Sequence, residues 1–277
     1  STLSSSSAAS DVYKRQISGL TDLSAAGVAF MTLVAVNRIL RQRDYFKDGG
    51  EPDIRRYLDL TALGLVCDVM PMTGLARVLT AQGLKVIDAG GNPGLRILGK
   101  RAGSKGAASV YDLGFLLGPR INAAGRIGHA RLAFDLLTTD DREKRMSLAE
   151  RLHVMNAERQ EIERAVQADA VALIEHSKMD ADAVIVVAGE GWHPGVIGIV
   201  AGRLKDMYDR PVIVIGLDGE TGKGSGRSIT GVDLGGAIRA AREQGLLIAG
   251  GGHAMAAGLT IDASAVGEFA QFLNEKF

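Results

Sequence analysis

Apolar positions along the chain fall into two regimes. Up to about residue 176 they recur mostly at helical spacing, and beyond it they come in short β-branched runs alternating with helical stretches. Residues 17–48 open with small side chains, then place Phe30, Leu33, Val36 and Leu40 at helical spacing, until Asp48-Gly49-Gly50-Glu51-Pro52 ends the pattern with turn chemistry. Residues 58–69 are largely apolar between charged flanks, which suits a buried strand or a short buried helix. Residues 74–88 read as an amphipathic helix stopped by Gly90-Gly91-Asn92-Pro93-Gly94, and 94–110 as a weaker one interrupted by Gly103 and Gly106. Residues 112–128, dense in glycine and polar groups, read as a functional loop.

From 140 to 176 there is neither Gly nor Pro, while Leu148, Leu152, Met155, Ile162, Val166 and Leu173 fall near heptad spacing. A helix of that length extends roughly 50 Å at about 1.5 Å per residue, more than one compact domain needs, so it reads as a bridge between two. Past it, 183–188 and 211–216 are β-branched strands around a helix at 195–207, a βαβ unit. Residues 223–229 predict a strand, 232–243 a helix and 254–261 a final strand. The class is α/β.

Length and composition narrow the partners. A chain of 277 residues with 46% apolar and 23% charged residues builds one large or two medium globular domains. Lys plus Arg equals Asp plus Glu at 32 each, so any site for a polyanion must be a local basic cluster. The single cysteine, Cys67, excludes an internal disulfide and fits a reducing cytoplasm. No apolar run approaches the roughly 20 residues of a membrane span, so no membrane partner is expected. Residues 1–16, with six serines and no periodicity, read as a disordered tail or an artefact.

Candidate chemistry gathers in short stretches. Gly222-Lys223-Gly224-Ser225-Gly226-Arg227-Ser228 and Gly250-Gly251-Gly252-His253 combine close-set glycines with hydroxyl, guanidinium and imidazole groups. That combination suits a phosphate approached by backbone N–H groups. Gly118-Pro119-Arg120-Ile121-Asn122-Ala123-Ala124-Gly125-Arg126 adds two bidentate-capable arginines, which suit either phosphates or nearby carboxylates. In Gly191-Trp192-His193-Pro194-Gly195, a turn from strand to helix, His193 suits a phosphate contact, and Trp192 fits the core better than a stacking platform. Asp68, at the polar end of the apolar stretch, suits either a metal ligand or a helix cap, and Asp59 competes with it for both readings. Cys67 lacks a companion base and reads as a small buried residue rather than a nucleophile.

Taken in order, these stretches resemble one family. Leu58-Asp59-Leu60-Thr61-Ala62-Leu63-Gly64-Leu65-Val66-Cys67-Asp68-Val69-Met70-Pro71 is similar to the last metal-binding motif of DHH-family phosphoesterases of the RecJ type, and 118–126, 191–198, 222–228 and 252–258 resemble further motifs of those proteins. The resemblance runs from about residue 17 to the end. It implies a partial parallel-sheet DHH catalytic domain at 17–110, a motif loop and long connecting helix at 111–181, and a smaller α/β DHH-associated domain at 182–277 that binds nucleic acid.

The activity it implies is 5′-to-3′ hydrolysis of single-stranded DNA in repair and recombination, with two Mn2+ or Mg2+ ions, by a cytoplasmic, monomeric protein. On this mapping Asp68 is the catalytic metal ligand. Arg120, Asn122 and Arg126 contact the DNA backbone, Ser225 and Arg227 form a 5′-phosphate pocket, and His193, Gly252 and His253 line the same cleft. The Asp-X-Asp and Asp-His-His motifs of that family have no counterpart in this sequence, so this chain alone is expected to be an inactive fragment. Two other readings remain: a small DHH phosphodiesterase acting on oligoribonucleotides or cyclic dinucleotides, and a non-catalytic nucleic-acid-binding module.

Overall fold

The computed structural model describes residues 22–47 and 49–277, so the serine-rich stretch 1–16 lies outside the described residues. The chain forms two compact units. The first comprises the described residues up to 124 together with 130–154, and the second comprises 125–129 with 155–277.

Among the described residues the first unit is helical. Helix α1 (Ala25–Gln42) starts at Ser24, whose Oγ accepts from the Gly27 N–H at 3.3 Å, satisfying one of the donors a helix start leaves free. Helices α2 (Leu58–Cys67) and α3 (Gly74–Asp88) follow, so the apolar stretch that left strand and helix open is a helix, buried on most of its sides. Helix α4 (Pro93–Ala102) begins with Asn92 as cap and Pro at its first turn, where the missing N–H costs nothing, and ends at Gly103 in the left-handed conformation, φ 84°.

The expected loop at 112–128 is instead helical. A π-type turn (Asp112–Leu117) runs directly into α5 (Gly118–Ile127). Glycine density misled the expectation, because the apolar positions Leu113, Leu117, Ala123 and Ala124 are buried, and Leu113, Leu117 and Ala124 pack with Leu95, Leu98 and Leu136. Gly118 serves close packing, since a Cβ there would stand 2.5 Å from Cys67 Sγ. Helix α6 (Arg131–Thr138) precedes the long α7 (Arg142–His176), 35 residues, whose N-terminal part up to Val154 packs in the first unit and whose remainder packs in the second.

The second unit is a five-stranded mixed sheet with helices. Strands β1 (Ile185–Glu190) and β2 (Val212–Asp218) pair in parallel around helix α8 (Pro194–Tyr208), as the β-branched runs predict. Strand β3 (Thr221–Arg227), helix α9 (Leu234–Glu243), the hairpin β4 (Ala249–His253) and β5 (Ala256–Asp262), and helix α10 (Val266–Lys276) complete it. Strand order is β1-β2-β3-β5-β4, with every pairing after the first antiparallel. One face packs Ile185, Val187, Val212 and Val214 against α8 and the end of α7. The other packs Val186, Ile213, Ile215, Leu259 and Ile261 against α9 and α10.

Candidate nucleic-acid interface

Strand β3 explains the first glycine cluster. Alternate residues of a strand face opposite sides, and here Gly222, Gly224 and Gly226 are the buried set. A Cβ at Gly224 would stand 2.7 Å from Leu259 Cδ1, and one at Gly226 would stand 2.6 Å from Leu234 Cδ2. These glycines make room for the core. They do not cradle an anion, since β3 is an interior strand paired with β2 and β5 on its two sides. The intervening residues Lys223, Ser225 and Arg227 therefore share the opposite face.

Register carries that face further. Arg227 pairs with Ala256, which pairs with His253, so Arg227 and His253 lie on one face two strands apart, about 10 Å at about 4.8 Å per strand. Gly251 and Gly258, also opposite each other on this face, have no side chain crowding them. His253 is exposed, and its Nδ1 accepts from the Met255 N–H at 3.3 Å across the hairpin turn. Gly252 pairs with core-facing Ala257 and lies on the other face. The second glycine cluster thus lies in an edge strand.

Helix α8 borders the site. His193 is its cap, with Nδ1 accepting from the Gly195 N–H at 3.0 Å. Trp192 is buried, and its ring occupies the space a Cβ on Gly189 would need, which fits the core reading. The missing side chain at Gly195 admits the Arg126 backbone, and Arg126 Nη1 donates to Gly195 O at 3.2 Å. Gly198, one turn on, makes the same room for Ser225 and Arg227, and Arg227 Nη1 donates to Ser225 Oγ at 3.1 Å and to Gly226 O at 2.8 Å.

A buried network on α7 backs these arginines. Glu163 is 1% exposed and ion-pairs with Arg159, four residues earlier, and with Arg203 of α8. Arg159 also donates to Asn156 Oδ1 at 3.2 Å, and its Nε has no hydrogen-bond partner among the described residues. The Arg126 guanidinium is pushed below its usual range, first by desolvation and then by Arg159 and Arg227, with Glu163 opposing. Desolvation lowers Arg227 as well. Among the described residues neither Arg126 nor Arg227 forms an ion pair, so one carboxylate stands among four arginines. An arginine stays charged under such shifts, and positive charge in surplus favours an anion.

Asn156, Arg159, Glu163 and Arg203 were not anticipated. The signal lay in α7, where Asn156, Arg159 and Glu163 continue the stripe of Val166, Ala170 and Ile174 at three- and four-residue steps, polar side chains where apolar ones belong. The heptad reading picked Leu173, which is 39% exposed; the buried residue is Ile174.

The first unit holds the remaining candidates. Arg120 Nη1 donates to Leu116 O at 2.7 Å and Nε to His153 Nδ1 at 3.2 Å, and burial lowers its pKa. Asn122 is exposed on the same helix. At about 100° per residue, Arg120 and Arg126 point about 120° apart around α5, so they do not form one fork.

Asp68 caps the C-terminus of α2 and is exposed, so it does not emerge from a strand. Asp59 is 1% exposed, and its carboxylate accepts from the N–H groups of Leu60 at 2.7 Å and Asn92 at 2.6 Å, which marks it as architectural; burial pushes its pKa up. Burial and then Asp68 also push the Cys67 thiol up, against a nucleophilic role. Among the described residues no three His, Cys, Asp or Glu side chains gather as a metal site, and Asp68 offers one carboxylate.

Residues 181–277 match the DHHA1 domain. The single-stranded-DNA-specific exonuclease RecJ of Dickeya dadantii is 40% identical over 259 residues, covering 90% of this chain and 45% of the relative. The crystal structure of RecJ in complex with Mg2+ from Thermus thermophilus superposes with a TM-score of 0.77 at 34% identity, covering 90% of this chain and 37% of that one. The Mn2+ complex from the same organism gives 0.77 at 35%, covering 90% and 35%. The chain therefore spans under half the length of these relatives; over that span it is similar to RecJ, and its residues 181–277 match the DHHA1 domain.

Proposed function

We propose that the second unit grips the sugar-phosphate backbone of single-stranded DNA, as part of a metal-dependent 5′-to-3′ exonuclease acting in repair and recombination. The observation that carries this reading is the pair of arginines, exposed Arg126 and half-buried Arg227, which among the described residues have no carboxylate partner, with the Ser225 hydroxyl beside Arg227. Guanidinium groups so placed take phosphate oxygens in charge-assisted hydrogen bonds. His253, on the same sheet face, then meets the strand about 10 Å further on. Arg120 and Asn122, in the first unit, are separate candidates for phosphate contact.

Divalent Mg2+ or Mn2+, when bound, supplies activated water and stabilises the leaving oxygen. An aspartate at a helix C-terminus sits against the negative end of the helix dipole, a placement that a bound cation would offset. Asp68 would be one such ligand. The described residues supply no complete site, so no hydrolytic step is assigned to them. No described helix is long and apolar enough to cross a membrane, and a DNA-processing role is set in the cytoplasm.

Fluorescence anisotropy with a 5′-phosphorylated oligodeoxynucleotide tests the reading. Arg227→Ala should weaken binding at least about tenfold, since a hydrogen bond to a charged group contributes roughly 1.5–3 kcal/mol. It should also flatten the salt dependence by about one phosphate contact. Unchanged affinity and salt slope would overturn the proposal, and a preference for dinucleotides over long strands would favour the small phosphodiesterase.

A further inference from the structure

A cavity of about 250 Å3 opens beside the arginine site, lined by Trp192, His193 and Pro194 at the start of α8 and by Gly216, Leu217, Asp218, Thr221 and Lys223 of the β2–β3 hairpin. We propose that it binds a nucleoside 5′-monophosphate, the unit that stepwise hydrolysis from a 5′ end releases. This rests on the exonuclease reading above and adds to it a separate place for the product.

Three observations carry the proposal. The alternation of β3 puts Lys223 on the same face as Ser225 and Arg227, four residues before the latter and so roughly 13 Å from it at about 3.3 Å per residue. Lys223 is exposed and forms no ion pair among the described residues, so its ammonium is available to a phosphate.

The chemistry of the lining is mixed rather than purely cationic. His193 spends Nδ1 on the Gly195 N–H and keeps Nε2 as its donor, and Thr221 adds a hydroxyl. Asp218 would repel a bare phosphate, and it suits a ligand that also carries hydroxyl or N–H donors, as a sugar and a base do. Leu217 and the Trp192 segment give the apolar wall such a ring needs. The volume lies just under the roughly 300–1,000 Å3 common for small-molecule sites, which matches one nucleotide and not a run of them.

The walls are also preformed. Asp218 pairs with Thr221 across a two-residue turn in which Gly219 takes φ 60°, as such hairpin turns require. Glu190 accepts from the Gly219 N–H at 3.2 Å, and the Gly191 N–H donates to Leu217 O at 2.9 Å, tying the hairpin to the turn that leads into α8.

Titration of the chain with thymidine 5′-monophosphate, followed by Trp192 fluorescence and by calorimetry, tests this. Binding should weaken tenfold or more in Lys223→Ala and several-fold in Asp218→Asn, and should survive Arg227→Ala. Inorganic phosphate should bind at least tenfold more weakly than the nucleotide. No binding at millimolar nucleotide, equal binding of phosphate, or indifference to Lys223→Ala would overturn the inference. Loss through Arg227→Ala alone would overturn it too, by assigning the nucleotide to the arginine site. The failure of the exonuclease reading looks different: single-stranded DNA binding would then ignore Arg227→Ala, whatever the mononucleotide does. Melting temperatures of all variants, with Lys223 and Asp218 both exposed, separate lost binding from lost folding.

Discussion

The two units bury charge for different purposes. In the first, Asp59 and Asp112 are buried carboxylates whose oxygens are taken up by nearby groups: Leu60 and Asn92 N–H for Asp59, and the Ser109 N–H at 2.9 Å and hydroxyl for Asp112. In the second, the buried carboxylate of Glu163 meets guanidinium groups. A carboxylate answered by backbone amides fixes turns and helix ends. One answered by several arginines holds positive charge in place for something else. Burial of an ionisable group is thus weak evidence of a site until its partners are named.

Breaking each arrangement should give unequal results. Glu163→Gln leaves Arg159 buried without its counter-charge, and removal of one partner from a buried ion pair costs about 3–5 kcal/mol. Asp59→Asn keeps an acceptor for one amide and should cost about 0.5–1.5 kcal/mol, the usual net worth of a hydrogen bond. Urea denaturation of both variants checks the ratio, and an equal loss would erase the distinction. Glu163→Gln should also weaken DNA binding where the fold survives, whereas Asp59→Asn should leave affinity alone.

The glycines of the second unit offer a finer contrast. Gly224→Val forces a branched side chain against Leu259 and Ile215 and should cost about 1–3 kcal/mol. Gly251→Ala enters open space and should stay within about 0.5 kcal/mol. Thermal melts would show whether the two glycine clusters differ as described.

The smallest effect concerns pH. Burial raises the Asp59 pKa in the folded state above its unfolded value, so the folded chain holds the extra proton. Its contribution to stability is full below the ordinary carboxylate range and is lost as pH rises through the raised value. Asp59→Asn should flatten that part of the stability profile, and an unchanged slope would place the titrating group elsewhere.

Much of this was legible beforehand, for identifiable reasons. The βαβ unit stood out because Ile185 to Val187 and Val212 to Ile215 are β-branched runs around a helical stretch. Residues 58–67 stayed ambiguous because an apolar stretch without a period does not separate strand from helix. Strand β3 was visible, but its glycines were given the wrong role. Its glycines recur at every second position, the period of a strand, and that spacing already pointed to a packed face rather than an anion cradle. The β4 edge strand was missed because three successive glycines show no strand pattern until α9 is seen packed across them. The arginine network needed three dimensions, since residues 126, 159, 203 and 227 are scattered in sequence and only folding assembles them.

The protein has a single tryptophan, Trp192, and it lies buried in the second unit against Gly189. The molecule therefore carries its own optical label for one of its halves. Near-ultraviolet emission should follow the melting of the sheet unit alone, while circular dichroism, dominated by helices, sums both. Divergence between those two curves would give the energetic independence of the halves without any engineered dye.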